Sequence, residues 1–270
     1  MKTNETGRAD LHVHTNLSLC APSTTFVSSY LPYCGDEGVD ILGISNHLYA
    51  HMTDVRGADY MEYILRGRKE IEAIEDPGVR IIFGCESELF YGREPGLSRR
   101  DEHNFDYVIL APSHIFNQMG FYRDYDLSDA GKVRDLILKQ FERACMTEYE
   151  IPSGICHPLY PICCPWEQEV VDGMTDSQLT ECFELAREKG KSIEIHACLY
   201  RHGTQLDGEG LSPSYLRILS FAKKCGCKFH FGSDAHAPDA FIGSHARLRR
   251  AAERIGINGD DMWRPWEEIK

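Results

Sequence analysis

A recurring alternation along the chain limits its fold more than any other sequence feature. A short apolar run is followed by a tip rich in histidine or acidic residues, and then by a stretch with helical periodicity. Most runs are near-continuous and β-branched, as expected for strands buried on both faces. Strands that alternate with helices predict parallel strands joined by crossovers, in a closed barrel or in an open doubly wound sheet. The predicted strands are residues 9–13, 39–44, 79–83, 105–110, 151–155, 192–195 and 228–231.

Helix-start signals lie between these runs. Thr175 and Gln178 fit a capping box that opens a helix, and Gly190 stands where that helix should end. Asp59 predicts a second N-terminal cap. Further helical patterns cover residues 134–149, 213–224 and 239–255.

Composition narrows the class of protein. With 270 residues, 42% of them hydrophobic, and no linker-like segment, the chain is expected to form one domain over residues 1–270. The net charge of −13 disfavours a protein that coats nucleic acid, since such proteins are usually basic. Nucleic acid remains possible only as a substrate, because bound metal ions would make the local charge of the site positive. The eleven cysteines do not have the spacing of the disulfide framework of a secreted protein. The N-terminus is polar, and no apolar run is long enough to span a membrane. The sequence therefore predicts a cytoplasmic protein without a membrane partner.

Every predicted strand ends in, or contains, residue types that bind metal ions. In a barrel, the carboxyl ends of all strands converge on one face, where such folds place their active sites. A spacing of two on a strand also puts both histidines of the first tip on the same face. The residues are His12 and His14, Asn46 and His47, Glu86 and Glu88, His114, His157, Glu194 and His196, and Asp234 and His236.

The number of these groups predicts more than one ion. Imidazole and carboxylate suit Zn, Mn or Fe, and the set is too large for a single ion, so two or three divalent transition-metal ions are expected. Clustered ions are what in-line displacement at phosphorus requires, since they activate water and offset charge on the phosphoryl oxygens.

In this order, the motifs DLHVHT at Asp10, GCESE, PSH, CHP and GSDAH resemble those of the polymerase and histidinol phosphatase (PHP) family. The match extends from Asp10 to His236 and therefore covers most of the chain. The resemblance implies an α/β fold, a distorted, TIM-barrel-like (β/α)7 barrel, with a trinuclear metal site at the carboxyl ends of the strands.

The resemblance also implies a set of ligands. Two positions depart from the family pattern, both near the third ion: Cys20 stands where histidine or a carboxylate is common, and Asn46 where aspartate is usual. The implied ligands are His12, His14, Glu86 and Asp234 for the first ion, Glu86, His114 and His157 for the second, and Cys20, His47 and His236 for the third.

The expected activity is that of a phosphomonoesterase, in which a hydroxide bridging two ions attacks a small phosphorylated metabolite and inorganic phosphate leaves. Asp234 and His236 are expected to act in catalysis as well as in binding. Arg201 would hold phosphoryl oxygens, and His202 would protonate the leaving group. A phosphodiesterase or exonuclease remains an alternative. A metal-dependent amidohydrolase is disfavoured, because no lysine stands at the end of the fourth strand. A barrel without catalytic activity is the remaining alternative. The sequence predicts no oligomeric state.

Overall fold

Seven of the strands form one parallel sheet in the computed structural model, which describes residues 8–55, 58–90, 92–116, 122, 125–197, 206–208 and 210–269. Two further, short strands pair with each other in an antiparallel ribbon. The strands are β1 (Ala9–Val13), β2 (Ile41–Leu48), β3 (Asp54–Val55), β4 (Ala58–Asp59), β5 (Arg80–Glu88), β6 (Tyr107–Ala111), β7 (Ser153–Ile155), β8 (Ser192–His196) and β9 (Phe229–Gly232).

The sheet follows chain order, β1-β2-β5-β6-β7-β8-β9, and bends round until its last strand reaches its first. Val13 pairs in parallel with Ala235, just past β9. The backbone N–H of His14 donates to the carbonyl of Ala235 over 2.9 Å, and that of Asp234 donates to the carbonyl of His12 over 2.8 Å. The predicted parallel barrel is therefore confirmed, and all carboxyl ends of its strands open on one side.

Helices join successive strands, and the predicted start signals are confirmed. The Asp59 carboxylate accepts from the backbone N–H of Glu62, and Thr175 and Gln178 form the predicted capping box. The α-helices in the described residues are α1 (Leu31–Glu37), α2 (Tyr60–Glu72), α3 (Ala130–Met146), α4 (Glu167–Asp172), α5 (Asp176–Glu188), α6 (Pro213–Lys224), α7 (Pro238–Phe241) and α8 (Ser244–Arg254).

One predicted helix is broken in two. The pattern over residues 239–255 predicts a continuous helix, but Gly243 has a φ of 77° and separates α7 from α8. Glycine tolerates this left-handed conformation, which a side chain would oppose. The carboxylate of Glu37 then accepts from the backbone N–H groups of Gly243 (2.5 Å) and His245 (3.2 Å). A residue of α1 thus caps α8, which sequence periodicity does not reveal.

The ring of Tyr107 lies in a buried apolar cluster and crosses from one strand to another. Its hydroxyl donates to the carbonyl of Leu11 over 2.8 Å, so the ring spans from β6 to β1. It passes over Gly84 and Gly43, where a Cβ would lie 2.5 Å and 2.4 Å from the nearest tyrosine atom. Trp263, near the C-terminal end, packs edge-on against this ring. These contacts fix β1 immediately before its two histidines.

None of the helices in the described part of the chain is both long and apolar enough to cross a bilayer.

Candidate metal centre

Four ligand atoms from β1, β5 and the segment after β9 converge at the open end of the barrel. The Nε2 atoms of His12 and His14 lie 3.1 Å apart. Each lies 3.4 Å from Oε2 of Glu86, and they lie 3.4 and 3.0 Å from Oδ1 of Asp234. Ligands about 2.0 to 2.1 Å from a tetrahedral ion would be about 3.3 Å from one another. The five separations are therefore close to those between the ligands of a tetrahedral ion, and His12, His14 and Asp234 form a group that could hold a metal ion.

The carboxylates of this group are ionised despite their burial. Burial alone would raise the pKa of Glu86, but His47 and His12 hold it well below its usual range. Burial likewise opposes ionisation of Asp234, yet His12 and His14 keep its pKa well below normal. The Glu86 side chain is fully buried, whereas that of Asp234 is 20% exposed at the mouth. Both side chains can therefore act as anionic ligands.

Hydrogen bonds from behind orient the imidazole rings. Nδ1 of His12 lies 2.6 Å from Oε1 of Glu194, and Nδ1 of His236 lies 2.9 Å from the carbonyl of Asp234. Both partners are acceptors, so each Nδ1 carries a proton and each Nε2 faces the site, where its lone pair could bind a metal ion once its proton is displaced. Glu194 has the position expected of a residue that orients a ligand, and His12 and His196 lower its pKa to about 2 against the effect of burial.

His114 and His157 flank Glu86 on the side of β6 and β7. Their ring centroids lie 5.0 Å apart, and Nδ1 of His157 lies 3.8 Å from Oε1 of Glu86. Nε2 of His157 is buried and has no hydrogen-bond partner among the described residues. A buried ring nitrogen without a partner is costly unless a ligand satisfies it. The structure thus brings together the three residues expected at the second ion.

Glu88 belongs to the same cluster, although the ligand set that the family resemblance implies does not include it. Its Oε1 lies 2.8 Å from Nδ1 of His47 and 2.9 Å from Nδ1 of His114. Together with Glu86, these residues form a group that could hold a metal ion. Because β5 continues to Glu88, the two glutamates share one face of the strand. Their spacing of two was the signal that could have placed Glu88 here.

The residues expected at the third ion meet at the mouth. Nε2 of His236 lies 3.0 Å from Sγ of Cys20, and its ring stacks on His14 with centroids 4.1 Å apart. His14, His47 and His236 form another group that could hold a metal. Burial would raise the pKa of the Cys20 thiol, but hydrogen bonds with His236 and His47 outweigh it and lower the pKa to about 6. Cys20 is therefore largely a thiolate at neutral pH, a form that binds zinc.

His196 lies closer to the centre than a mouth residue would. Its Nε2 lies 3.3 Å from Oδ2 of Asp234, and its ring packs edge-on against His157. With His12, His157 and Glu194 it forms a further group that could hold a metal ion. The signal was the alternation in IEIH, which puts Glu194 and His196 on one face of β8. Arg201 and His202, expected to contact substrate, lie outside the described residues.

Barrel and site together define a class: an α/β barrel with several groups of side chains that could hold metal ions at the carboxyl ends of its strands. The PHP domain family model matches residues 10–197, more than half of the chain, and the chain belongs to this family. It is accordingly a metal-dependent hydrolase of phosphate esters.

Two solved structures share this fold. A candidate histidinol phosphatase from Listeria monocytogenes superposes with a TM-score of 0.65 at 14% identity, covering 88% of this chain and 98% of that one. The histidinol phosphate phosphatase of Lactococcus lactis, solved with zinc, L-histidinol and phosphate, gives a TM-score of 0.60 at 13% identity over 93% and 94% of the two chains. No curated protein sequence matches the chain significantly.

Proposed function

We propose that the enzyme is a phosphomonoesterase that releases inorganic phosphate from a small phosphorylated metabolite. The observation that carries the proposal is the set of four converging atoms of His12, His14, Glu86 and Asp234, with further imidazoles on both sides. Several adjacent sites suit a phosphoryl group, whose charge is spread over three oxygens. The Lactococcus lactis protein, with its histidinol and phosphate, supports a small substrate. The proposal treats residues 1–270 as one barrel domain.

The residues fit two or three divalent ions such as Zn, Mn or Fe. The buried ring nitrogen of His157, the ionised carboxylates and the thiolate character of Cys20 all favour cations at this end of the barrel. When bound, such ions lower the pKa of water and offset charge on the phosphoryl oxygens. The proposed ligands are His12, His14, Glu86 and Asp234, then Glu86, His114 and His157, and then Cys20, His47 and His236.

The protein's own contribution is a centre that is rigid before substrate arrives. Glu194 and the carbonyl of Asp234 hold two of the rings from behind, so little reorganisation is needed during the reaction. The side chains of Asp234 and His236 are 20% and 28% exposed, and they form the part of the centre that an entering phosphoryl group meets first. We therefore assign the catalytic positions to these two residues. Arg201 and His202 remain predicted substrate contacts.

The test combines metal analysis with two model substrates. The purified protein should contain two or three equivalents of transition metal and hydrolyse p-nitrophenyl phosphate faster than bis-p-nitrophenyl phosphate. His14→Ala should lose metal and turnover. His103→Ala should keep both, because His103 is exposed and, within the described residues, its ring hydrogen-bonds only to the backbone of Arg100. Full activity in a folded His14→Ala variant would refute the metal centre, and turnover of the diester alone would indicate a phosphodiesterase.

A further inference from the structure

Ser18 connects a ring of the metal centre to the loop that follows β1. Its Oγ lies 2.8 Å from Nδ1 of His14 and 2.8 Å from Oδ1 of Asn46, and it accepts from the backbone N–H of His47 over 3.2 Å. The side chains of Ser18, Asn46 and His14 are all buried. A serine hydroxyl has one proton to donate and two lone pairs to accept with. The direction of each hydrogen bond can therefore be worked out.

The amide of Asn46 has only one possible orientation. The backbone N–H of Thr15 points at one amide atom of Asn46 from 2.8 Å, and only an oxygen can accept that bond. The other amide atom, the nitrogen, then donates to Oγ1 of Thr15 over 3.0 Å. The atom that faces Ser18 is consequently the amide oxygen, which has no proton to give.

The hydroxyl proton of Ser18 must therefore point at Asn46. If it pointed at His14 instead, two oxygens would face each other at 2.8 Å with no proton between them. With that proton committed and the His47 N–H accepted, Oγ of Ser18 has one lone pair left for His14. Nδ1 of His14 must then be the donor.

We propose that Asn46 and Ser18 are positioning residues that fix the proton of His14 on Nδ1 and so reserve Nε2 for a metal ion. The inference rests on the proposed metal function of His14. It gives Asn46 a role that needs an acceptor oxygen rather than a charge.

Without the acceptor on Asn46, the opposite arrangement becomes favourable. Ser18 could then donate to Nδ1 of His14, and the ring proton would move to Nε2. There it would donate to Oδ1 of Asp234, which lies 3.0 Å away. A metal ion would have to displace that proton. Loss of a partner that orients a ligand commonly weakens metal binding by about 10 to 100-fold.

The experiment reads the ring proton directly and the metal affinity separately. In the metal-free protein labelled with ¹⁵N-histidine, long-range ¹H–¹⁵N spectra report which nitrogen of His14 carries the proton, with the signal assigned by its loss in His14→Ala. Zn²⁺ affinity is measured by competition with a chromogenic chelator. Asn46→Ala should shift the proton towards Nε2 and weaken zinc binding about 10 to 100-fold. Asn46→Asp, which keeps an acceptor, should retain the wild-type proton position.

Thr15→Val is the matched control, because it removes a hydrogen bond of Asn46 but leaves the amide oxygen facing Ser18. It should match the wild type in proton position, even if it lowers the melting temperature. The inference is overturned if Asn46→Ala keeps the proton on Nδ1, or if its zinc affinity stays within twofold of that of Thr15→Val. If the wild-type protein binds none of Zn, Mn and Fe, the proposed function fails, while the proton position still decides the role of Asn46.

Discussion

Glu194 supports the sharpest test of how the centre is built. Its Oε1 accepts from Nδ1 of His12 over 2.6 Å, and its Oε2 accepts from the backbone N–H of His157 over 2.8 Å. Both partners are donors, and the side chain is fully buried. Glu194→Gln keeps the shape but replaces one acceptor by a donor. Because the backbone N–H of His157 requires an oxygen, the new NH₂ group must face His12.

The substitution therefore opposes the proton on Nδ1 of His12. The ring can move its proton to Nε2, which then faces the carboxylates of Glu86 and Asp234 at 3.4 Å and no longer offers a lone pair. To bind a metal ion, His12 would have to return its proton to Nδ1, where it would face the NH₂ group of the new glutamine. The hydrogen bond to the charged carboxylate, worth about 1.5 to 3 kcal/mol, would be lost. At 1.36 kcal/mol per decade this corresponds to a loss of metal affinity of about 10 to 150-fold.

The assay is zinc competition on Glu194→Gln, with turnover of p-nitrophenyl phosphate measured at saturating zinc. Glu181→Gln is the control, since Glu181 is exposed on α5 and, in the part of the chain that the structure describes, hydrogen-bonds only to Ser177. Zinc affinity of Glu194→Gln within twofold of the control would refute the reasoning. So would equal loss of affinity in both variants, because it would show that the effect does not pass through His12.

Three further predictions concern packing, pH and thiol reactivity. Gly84→Ala should lower the free energy of unfolding by about 1 to 3 kcal/mol in urea titrations, because its Cβ would overlap the ring of Tyr107. Glu37→Gln should cost up to about 3 kcal/mol at pH 7, because hydrogen bonds to the histidine and backbone at the start of α8 hold the pKa of Glu37 at about 2 rather than 4.5. A lowered carboxyl pKa stabilises the fold above the ordinary pKa, and this is lost as the pH falls, so variant and wild type should converge near pH 2. Finally, Cys20, with a pKa of about 6, should react with iodoacetamide at pH 7 before the exposed Cys163, whose pKa burial raises, and zinc should slow its modification in peptide mass mapping.

The sequence predicted the barrel well because buried parallel strands leave a continuous apolar signal. All seven strands of the sheet lie where apolar runs predicted them, and the helix Pro213–Lys224 has the predicted bounds. Strand ends were less accurate. β2 and β5 continue to Leu48 and Glu88, so His47 and Glu86 lie within strands rather than after them. Polar residues end an apolar run in the sequence, but they extend a strand when their side chains point into a shared polar centre.

The sequence predicted most residues of the candidate site but not the hydrogen bonds that orient them. Spacing by two correctly placed His12 and His14 side by side. Spacing cannot show that Ser18 and Asn46 lie behind His14, because they reach it from a loop and from a neighbouring strand. The cap that Glu37 provides for α8 is hidden for the same reason, since partners 206 positions apart leave no local pattern.

The seam between the first and last strands has a consequence for how the chain holds together. Ser233 and His12 are 221 positions apart in sequence, yet the hydroxyl of Ser233 donates to the carbonyl of His12 at this seam. The proposed ligands of the first ion lie on both sides of it, so an ion bound there would tie the two ends of a very long loop. A bound ion would therefore act as a reversible cross-link. It would stabilise only the folded chain, in which the first and last strands are already paired. Removing the ion should therefore lower the stability of the whole barrel.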